Sequence, residues 1–367
     1  MTIPDFAPVI ARLPQSVPFS SPEALQRACG VPTTLRIGAN ENLLGPSPAA
    51  VAALHATADE AWMYPDMEVY DLRSVLAEKY RTTLDRVLVG AGIDGLLDCF
   101  TRLFLSPGVV AVTTRGGYPT FAYHARAVGA EIVDLPYEKA KVPLEPMAAA
   151  AKAHSARIVY LSNPDNPTAS YHDAETIRRF VNDLPENCAC LLDEAYGEFA
   201  SEDAVEADLS SIPHVIRLRT FSKAYGLAGL RVGYAIAHPD ILQAANRVRT
   251  HFGKGRPALA AAMAAVGDHE WLSQTLASLT QSRSALSEAL KEAGFNPLPS
   301  HTNFVTAETH RGAAYAEALV PALLNQGVFI RKPSAAPLDG CIRVTLPPLA
   351  SIPVFKDALA RAMGTLD

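Results

Sequence analysis

Strand-like apolar runs recur along the chain at residues 86–89, 109–113, 157–161, 189–192, 215–219 and 231–237. Turns rich in glycine, asparagine or proline follow most of them, and stretches with helical spacing fill the intervals between 96 and 153. Runs that are apolar on both faces belong in a sheet covered on both sides, and strands that alternate with helices run parallel. The predicted class is therefore α/β, a mainly parallel sheet wrapped by helices. From residue 239 onward the spacing turns helical (241–248, 258–266, 271–293), interrupted by three short strands at 303–306, 328–331 and 341–346 and closed by a helix over 352–363. That second pattern predicts a smaller α+β domain, joined by a proline-rich N-terminal arm whose one short helix covers 21–29. The expected boundaries are 46–255 for the large domain and 1–45 plus 256–367 for the small one.

Composition supports two bodies, since 367 residues exceed what one ordinary core encloses. The net charge of −6, with no block of lysine or arginine, offers nucleic acid or an anionic membrane no electrostatic partner. No apolar stretch is long enough to span a bilayer and the first residues lack a signal-like pattern, so a cytoplasmic location is expected. The five cysteines are scattered and the ten histidines unpaired, which predicts neither a disulfide framework nor a metal site.

The candidate chemistry gathers at strand ends. Lys223 lies in a run of small and apolar residues, Thr220 to Arg231, with hydroxyls at Thr220 and Ser222 before it and Arg231 after. Desolvation lowers a lysine pKa and makes its amine a nucleophile for carbonyl carbon, so a Schiff base beside an anion site suits this segment. Asp193 ends the apolar run 189–192, where a carboxylate is costly unless it meets a cation. The neighbouring Glu194 suits a capping role better. Asn163 to Thr168 forms two proline turns at a strand end, where open α/β sheets bind ligands. Gly90, Gly92 and Gly95 spell the dinucleotide fingerprint, and a nicotinamide-dependent dehydrogenase would use it. That reading places Arg115 where an acid should meet a ribose, and leaves Lys223 and Asp193 without a role. What survives is a helix N-terminus made approachable by glycine, which holds a phosphate.

Ser222, Lys223, Leu227, Gly229, Arg231 and Gly233 together resemble the cofactor-lysine segment of the fold-type I pyridoxal 5'-phosphate (PLP) aminotransferases. Further segments match that family in order, over about residues 10 to 350, and the match is nearest to the histidinol-phosphate aminotransferase branch. The resemblance implies the family's seven-stranded major domain and a homodimer. It implies an amino group moved between an amino acid or amino-alcohol phosphate and a 2-oxo acid.

By the same resemblance Lys223 carries PLP, Asp193 faces its pyridine nitrogen, and Tyr196 and Asn166 its ring oxygen. Tyr118 stacks on the ring, while Thr220, Ser222, Arg231 and the N–H groups of Gly92, Ile93 and Asp94 take the phosphate, with Tyr64 reaching over from the second subunit. Gly38, Asn42, Arg331 and Arg343 are implied on the substrate side. The sequence departs from the family at Leu43 and Ala169, which replace a proline and a glycine. In the arm, Ser16 and Phe19 replace a tyrosine and a glycine, and the added phenyl predicts a preference for apolar or aromatic amino acids over histidinol phosphate. An aromatic or apolar amino acid aminotransferase, or a related PLP decarboxylase, would keep the same cofactor residues.

Overall fold

The computed structural model describes residues 3–14, 21–201, 209 and 211–366. Seven strands make the main sheet: β2 (Val87–Gly90), β3 (Val110–Thr114), β4 (Glu131–Leu135), β5 (Ile158–Ser162), β6 (Ala189–Asp193), β7 (Val215–Thr220) and β8 (Gly233–Ile236). Their order is β2-β8-β7-β6-β5-β3-β4, with β3 to β7 mutually parallel and β8 antiparallel to both its neighbours. Alternate residues of one strand serve opposite cores. Ile158 and Tyr160 of β5 pack with Leu96, Leu97 and Phe100, whereas Val159 and Leu161 pack with Met147, Ile177 and Phe180. Each such buried aliphatic side chain contributes roughly 1.5–3 kcal/mol.

The dinucleotide reading fails on topology. β2 is an edge strand bonded antiparallel to β8, so no parallel strand–helix–strand unit surrounds Gly90 to Gly95. The helix after β2 runs Gly92–Phe104, four residues longer at its start than the apolar spacing from 96 indicates. Helices Pro22–Cys29, Pro48–Thr57 and Ala174–Asp183 each begin at a side-chain cap (Ser21, Ser47 and Asp173), but Ala91 provides none. The N-terminus of helix Gly92–Phe104 therefore keeps its first N–H groups for another partner.

The smaller sheet is antiparallel, β12 (Cys341–Thr345) and β9 (Asn296–Pro297) flanking β10 (Phe304–Glu308). The run at 328–331 does not join it. β11 (Val328–Phe329) instead pairs in parallel with β1 (Leu35–Arg36) of the arm, and Arg331 makes a single bridge to Arg343. Helix Arg256–Gly267 packs against Pro48–Thr57, past the domain boundary read at 255. Helices Tyr70–Lys79, Ala174–Asp183 and Gly312–Leu324 are additional to those read from the sequence.

Asp193 and Glu194 leave β6 on opposite sides. Glu194 is buried in an ion cluster, its Oε2 lying 3.1 Å from Arg217 Nε and 3.4 Å from Arg219 Nη1. Arg219 also reaches Glu198 at 2.6 Å, so it clamps both ends of the turn that carries Tyr196. A Cβ at Gly197 would fall 2.4 Å from Arg219 Nη1, which leaves room only for glycine. The cap expected of Glu194 is made by Asp193, whose Oδ1 accepts from Ala195 N. Removing one partner of a buried ion pair strands the other charge at a cost of about 3 kcal/mol or more. Glu194→Gln is therefore expected to lower the chemical-denaturation midpoint of the apo-chain sharply; an unchanged midpoint would count against the cluster as a stabilising element.

Candidate active site

Three adjacent parallel strands, β5, β6 and β7, end side by side at the floor of a cavity of about 670 Å³. β5 delivers the turn Asn163 to Thr168, fixed from inside by Asp165. That carboxylate accepts from Thr168 N (3.0 Å), Thr168 Oγ1 (2.8 Å) and Tyr137 OH (3.1 Å), and burial raises its pKa to about 6. The turn presents Asn166, whose Oδ1 accepts from Arg343 Nη1.

β6 delivers Asp193. Its carboxylate is buried with Oδ2 accepting from Tyr160 OH at 2.8 Å and Oδ1 from Ala195 N at 2.9 Å. Burial raises its pKa to about 6 in spite of these bonds. Tyr196 follows, its phenol pushed up to about 12 by burial, and accepts from Asn40 Nδ2 at 2.9 Å.

β7 leads through Thr220 and Ser222 to Lys223. Burial, and then the charge of Arg343, lower the Lys223 pKa to about 8. Its Nζ donates to the backbone carbonyl of Asn40 at 3.1 Å. The desolvated amine foreseen in the sequence is thus present, and it shares the cavity with the buried carboxylate.

One end of the cavity is shaped for an anion. Ser222 Oγ accepts from Thr220 Oγ1 (2.9 Å) and from Arg231 Nη1 (3.3 Å), and Arg231 Nη2 lies 3.1 Å from Asp94 Oδ2. The uncapped helix Gly92–Phe104 opens beside this arginine. Gly92 stands at φ +70°, a left-handed backbone that a side chain would strain, and a Cβ there would also press on Arg231 Nη2 at 2.7 Å. Asp94 Oδ1 also accepts from Tyr118 OH at 2.7 Å, and burial followed by that carboxylate pushes the phenol pKa up. Ile93 and Tyr118 line the wall.

The opposite end is cationic. Arg343 donates from Nη2 to Gly38 O at 3.1 Å, while its buried Nε has no hydrogen-bond partner. Burial lowers its pKa to about 10, with the Arg331 charge adding to the effect. Arg331 and Lys332 line the same end, and Lys332 Nζ lies 3.1 Å from Glu317 Oε2. Gly38 takes part through its carbonyl, and lacks a side chain because the Phe329 ring would lie 2.6 Å from its Cβ.

Four expected positions do not line the cavity: Gly38 and Gly92 lie against Arg343 and Arg231, and Asn42 and Tyr64 stand elsewhere. Asn42 does not line the cavity; its Nδ2 donates to Ala224 O at 3.0 Å and its Oδ1 accepts from Leu44 N, so it fastens the backbone next to Lys223. Tyr64 is 79% exposed and packs on Phe252 with ring centroids 4.9 Å apart, outside the chain's own cavity. Ser16 and Phe19 lie outside the described residues. Tyr160, Asp165 and Lys332 are contributors the sequence reading did not assign, and Asn40 belongs to the Asn40 to Asn42 segment that the resemblance placed on the substrate side without giving it a role of its own. Among the described residues no group of three histidines, cysteines or acids is placed to hold a metal ion, and no helix is long and apolar enough to cross a membrane.

A desolvated amine, a buried carboxylate lacking a cation, and a glycine-cradled arginine at a helix N-terminus match the carbonyl, pyridine nitrogen and phosphate of PLP. Residues 32–359 match the family model for aminotransferases of class I and II. A histidinol-phosphate aminotransferase of Pseudomonas fluorescens is 34% identical over 362 residues, covering 97% of each chain. One from Pseudomonas aeruginosa is 33% identical over 97% of this chain and 96% of its own. The crystal structure of the histidinol-phosphate aminotransferase from Sinorhizobium meliloti with pyridoxal-5'-phosphate superposes with a TM-score of 0.96 at 41% identity, covering 100% of this chain and 99% of its own. The aspartate aminotransferase of Thermus thermophilus with maleate shares the fold, at TM-score 0.83 and 18% identity over 98% of this chain and 100% of its own. The chain belongs to the class I and II aminotransferases and is a PLP-dependent transaminase.

Proposed function

We propose that this transaminase takes its amino group from a donor bearing a phosphate or second anionic group, in the class of histidinol phosphate, and passes it to a 2-oxo acid. The carrying observation is the cationic end of the cavity, where Arg343 and Arg331 line one wall, joined by a backbone bridge and close enough for the charge of one to act on the other. Guanidinium groups grip carboxylate or phosphate bidentately. The arm positions Ser16 and Phe19 argue for an apolar side chain, whereas the described wall argues for an anionic one.

PLP supplies the carbonyl carbon and the electron-accepting ring. Lys223 would hold it, and the Nζ when free, uncharged once its lowered pKa is passed, would take the proton from the substrate Cα and hand it to the carbon that PLP supplies as its carbonyl carbon. Asp193 holds a proton on the pyridine nitrogen, and that cation offsets the desolvation of its carboxylate. Asn166 and the Tyr196 phenol face the ring oxygen, and Tyr118 covers the ring. Thr220, Ser222, Arg231 and the N–H groups of Gly92, Ile93 and Asp94 hold the phosphate. Gly38 and Asn42 support this arrangement from behind.

A cytoplasmic homodimer is part of the same reading. Five free cysteines suit a reducing compartment, which fractionation of the source cells checks. Trp62, Tyr64 and Phe252 form an exposed aromatic surface suited to a second copy, which would bring its Tyr64 to this chain's phosphate site.

Four measurements test the reading. With 2-oxoglutarate as acceptor, kcat/KM for histidinol phosphate should exceed that for phenylalanine or leucine about a hundredfold, about 2.7 kcal/mol at the barrier; a preference for the apolar donors would overturn the substrate assignment. The rate at which apo-enzyme takes up PLP should rise with pH through about 8, because the lowered Lys223 pKa leaves the amine protonated below that point and nucleophilic above it; a flat profile removes Lys223 as the titrating group. Tyr64→Phe should weaken PLP binding about tenfold, one hydrogen bond to a charged group. Mixing it with inactive Lys223→Ala should restore wild-type affinity in the hybrid's one intact site. Sedimentation as a monomer at full activity would sink the dimer.

A further inference from the structure

Asn40 meets both reactive side chains at once. It is buried, and its backbone is left-handed at φ +55°, a conformation asparagine tolerates better than most residues. The turn aims its carbonyl inward, where the oxygen accepts from Lys223 Nζ at 3.1 Å and from Asn303 Nδ2 at 3.0 Å. Its side chain spans to Tyr196, with Nδ2 2.9 Å from the phenol oxygen, and to Thr345, whose Oγ1 lies 3.2 Å from Oδ1.

The direction of these bonds follows from the donors available. Thr345 Oγ1 already accepts from Asn40 N at 3.0 Å, and its one proton goes to Asn40 Oδ1. The amide therefore turns its NH₂ to Tyr196, and the phenol oxygen is an acceptor on that side. A phenol that accepts there keeps its own proton for a different partner, on the cavity side. Thr345 is two residues beyond Arg343 on β12, and Asn303 immediately precedes β10, so the same asparagine ties the smaller sheet to the ends of β6 and β7.

We propose that Asn40 is a positioning residue for the transamination: its side-chain amide holds the Tyr196 hydroxyl so that the phenol proton is presented to the cofactor's ring oxygen, and its carbonyl gives the Lys223 amine a resting partner whenever that amine is free. The proposal rests on the roles given above to Tyr196 and Lys223. Glycine would keep the left-handed turn and the carbonyl but lose the donor. Aspartate would keep the shape and replace the donor by an acceptor, drawing the phenol proton away from the cavity.

The test is a pH titration of the cofactor's visible absorbance in holoenzyme. A phenol donating to the ring oxygen stabilises its anion and keeps the titration midpoint low, so losing that donation raises the midpoint. Asn40→Gly and Asn40→Asp are each expected to raise it by about one unit, the size of one hydrogen bond to a charged group. Tyr196→Phe alone should raise it similarly, and Asn40→Gly added to Tyr196→Phe should shift it no further, because both act through one hydroxyl. If Tyr196→Phe moves the midpoint while both Asn40 variants leave it in place, or if the double variant shifts by the sum, the proposal is overturned. If Tyr196→Phe itself leaves the midpoint unchanged, the underlying role of Tyr196 falls and Asn40 loses its function with it.

Discussion

Two groups of opposite charge, Lys223 and Asp193, have been taken out of water into one cavity without being paired to each other. The Lys223 amine is left with a neutral carbonyl and the Asp193 carboxylate with a phenol and a backbone N–H. Each is held away from its ordinary ionisation, the amine down to about 8 and the carboxylate up to about 6. Only a rigid surround keeps such groups from relaxing toward solvent or toward one another. The main sheet supplies it by ending β5, β6 and β7 side by side, with Ser162 opposite Asp193 and Asp193 opposite Leu218. Most other features of the site serve to hold those ends still: Asp165 inside its turn, Arg219 across the turn after β6, and Asn42 behind Ala224.

Electrostatics divides the cavity into two functions. At one end Arg231 is held between Ser222 and Asp94 at an open helix N-terminus, the place proposed for the cofactor's phosphate. At the other, Arg343 and Arg331 line the wall together, the end where the proposed substrate anion would sit. An anchored anion and an exchangeable one are what a bound cofactor and a passing substrate require.

Much of this was legible in the sequence, for reasons that can be named. Buried strands announce themselves as apolar runs, and β2, β3, β5, β6, β7 and β8 fall within about two residues of where those runs lie. Residues at strand ends inherit that precision, which is why Lys223 and Asp193 could be singled out from the residues themselves, whereas the parts given to Asn166 and Arg231 came from the family resemblance. Helix Gly312–Leu324 was obscured by Pro321 near its end. The signal for Ala174–Asp183, a cap at Asp173 followed by Ile177, Phe180 and Val181, is plain once sought. Pairing partners were harder. β1 and β11 have two residues each and join segments almost 300 positions apart, so no local pattern reports them. Asn40 and Asn42 show the same limit at one site: both belong to one polar turn, and only the left-handed backbone at Asn40 decides which faces the lysine.

Adjacent acids at the end of β6 have opposite fates, Asp193 in the cavity and Glu194 among arginines on the other side of the sheet. Side chains of a strand alternate with a period of two, so a slip of β6 by one residue against β5 and β7 would exchange them. The longer glutamate would then protrude into the cavity, and the shorter aspartate would fall short of Arg217 and Arg219. Such a slip would also turn Leu191 and Leu192 to the wrong cores, which makes the aliphatic pattern of the strand a lock on which carboxylate enters the cavity. A single-residue insertion or deletion in β6 would thus seat a carboxylate one methylene too long in the catalytic centre and leave one too short among the arginines, while leaving every residue around it unchanged.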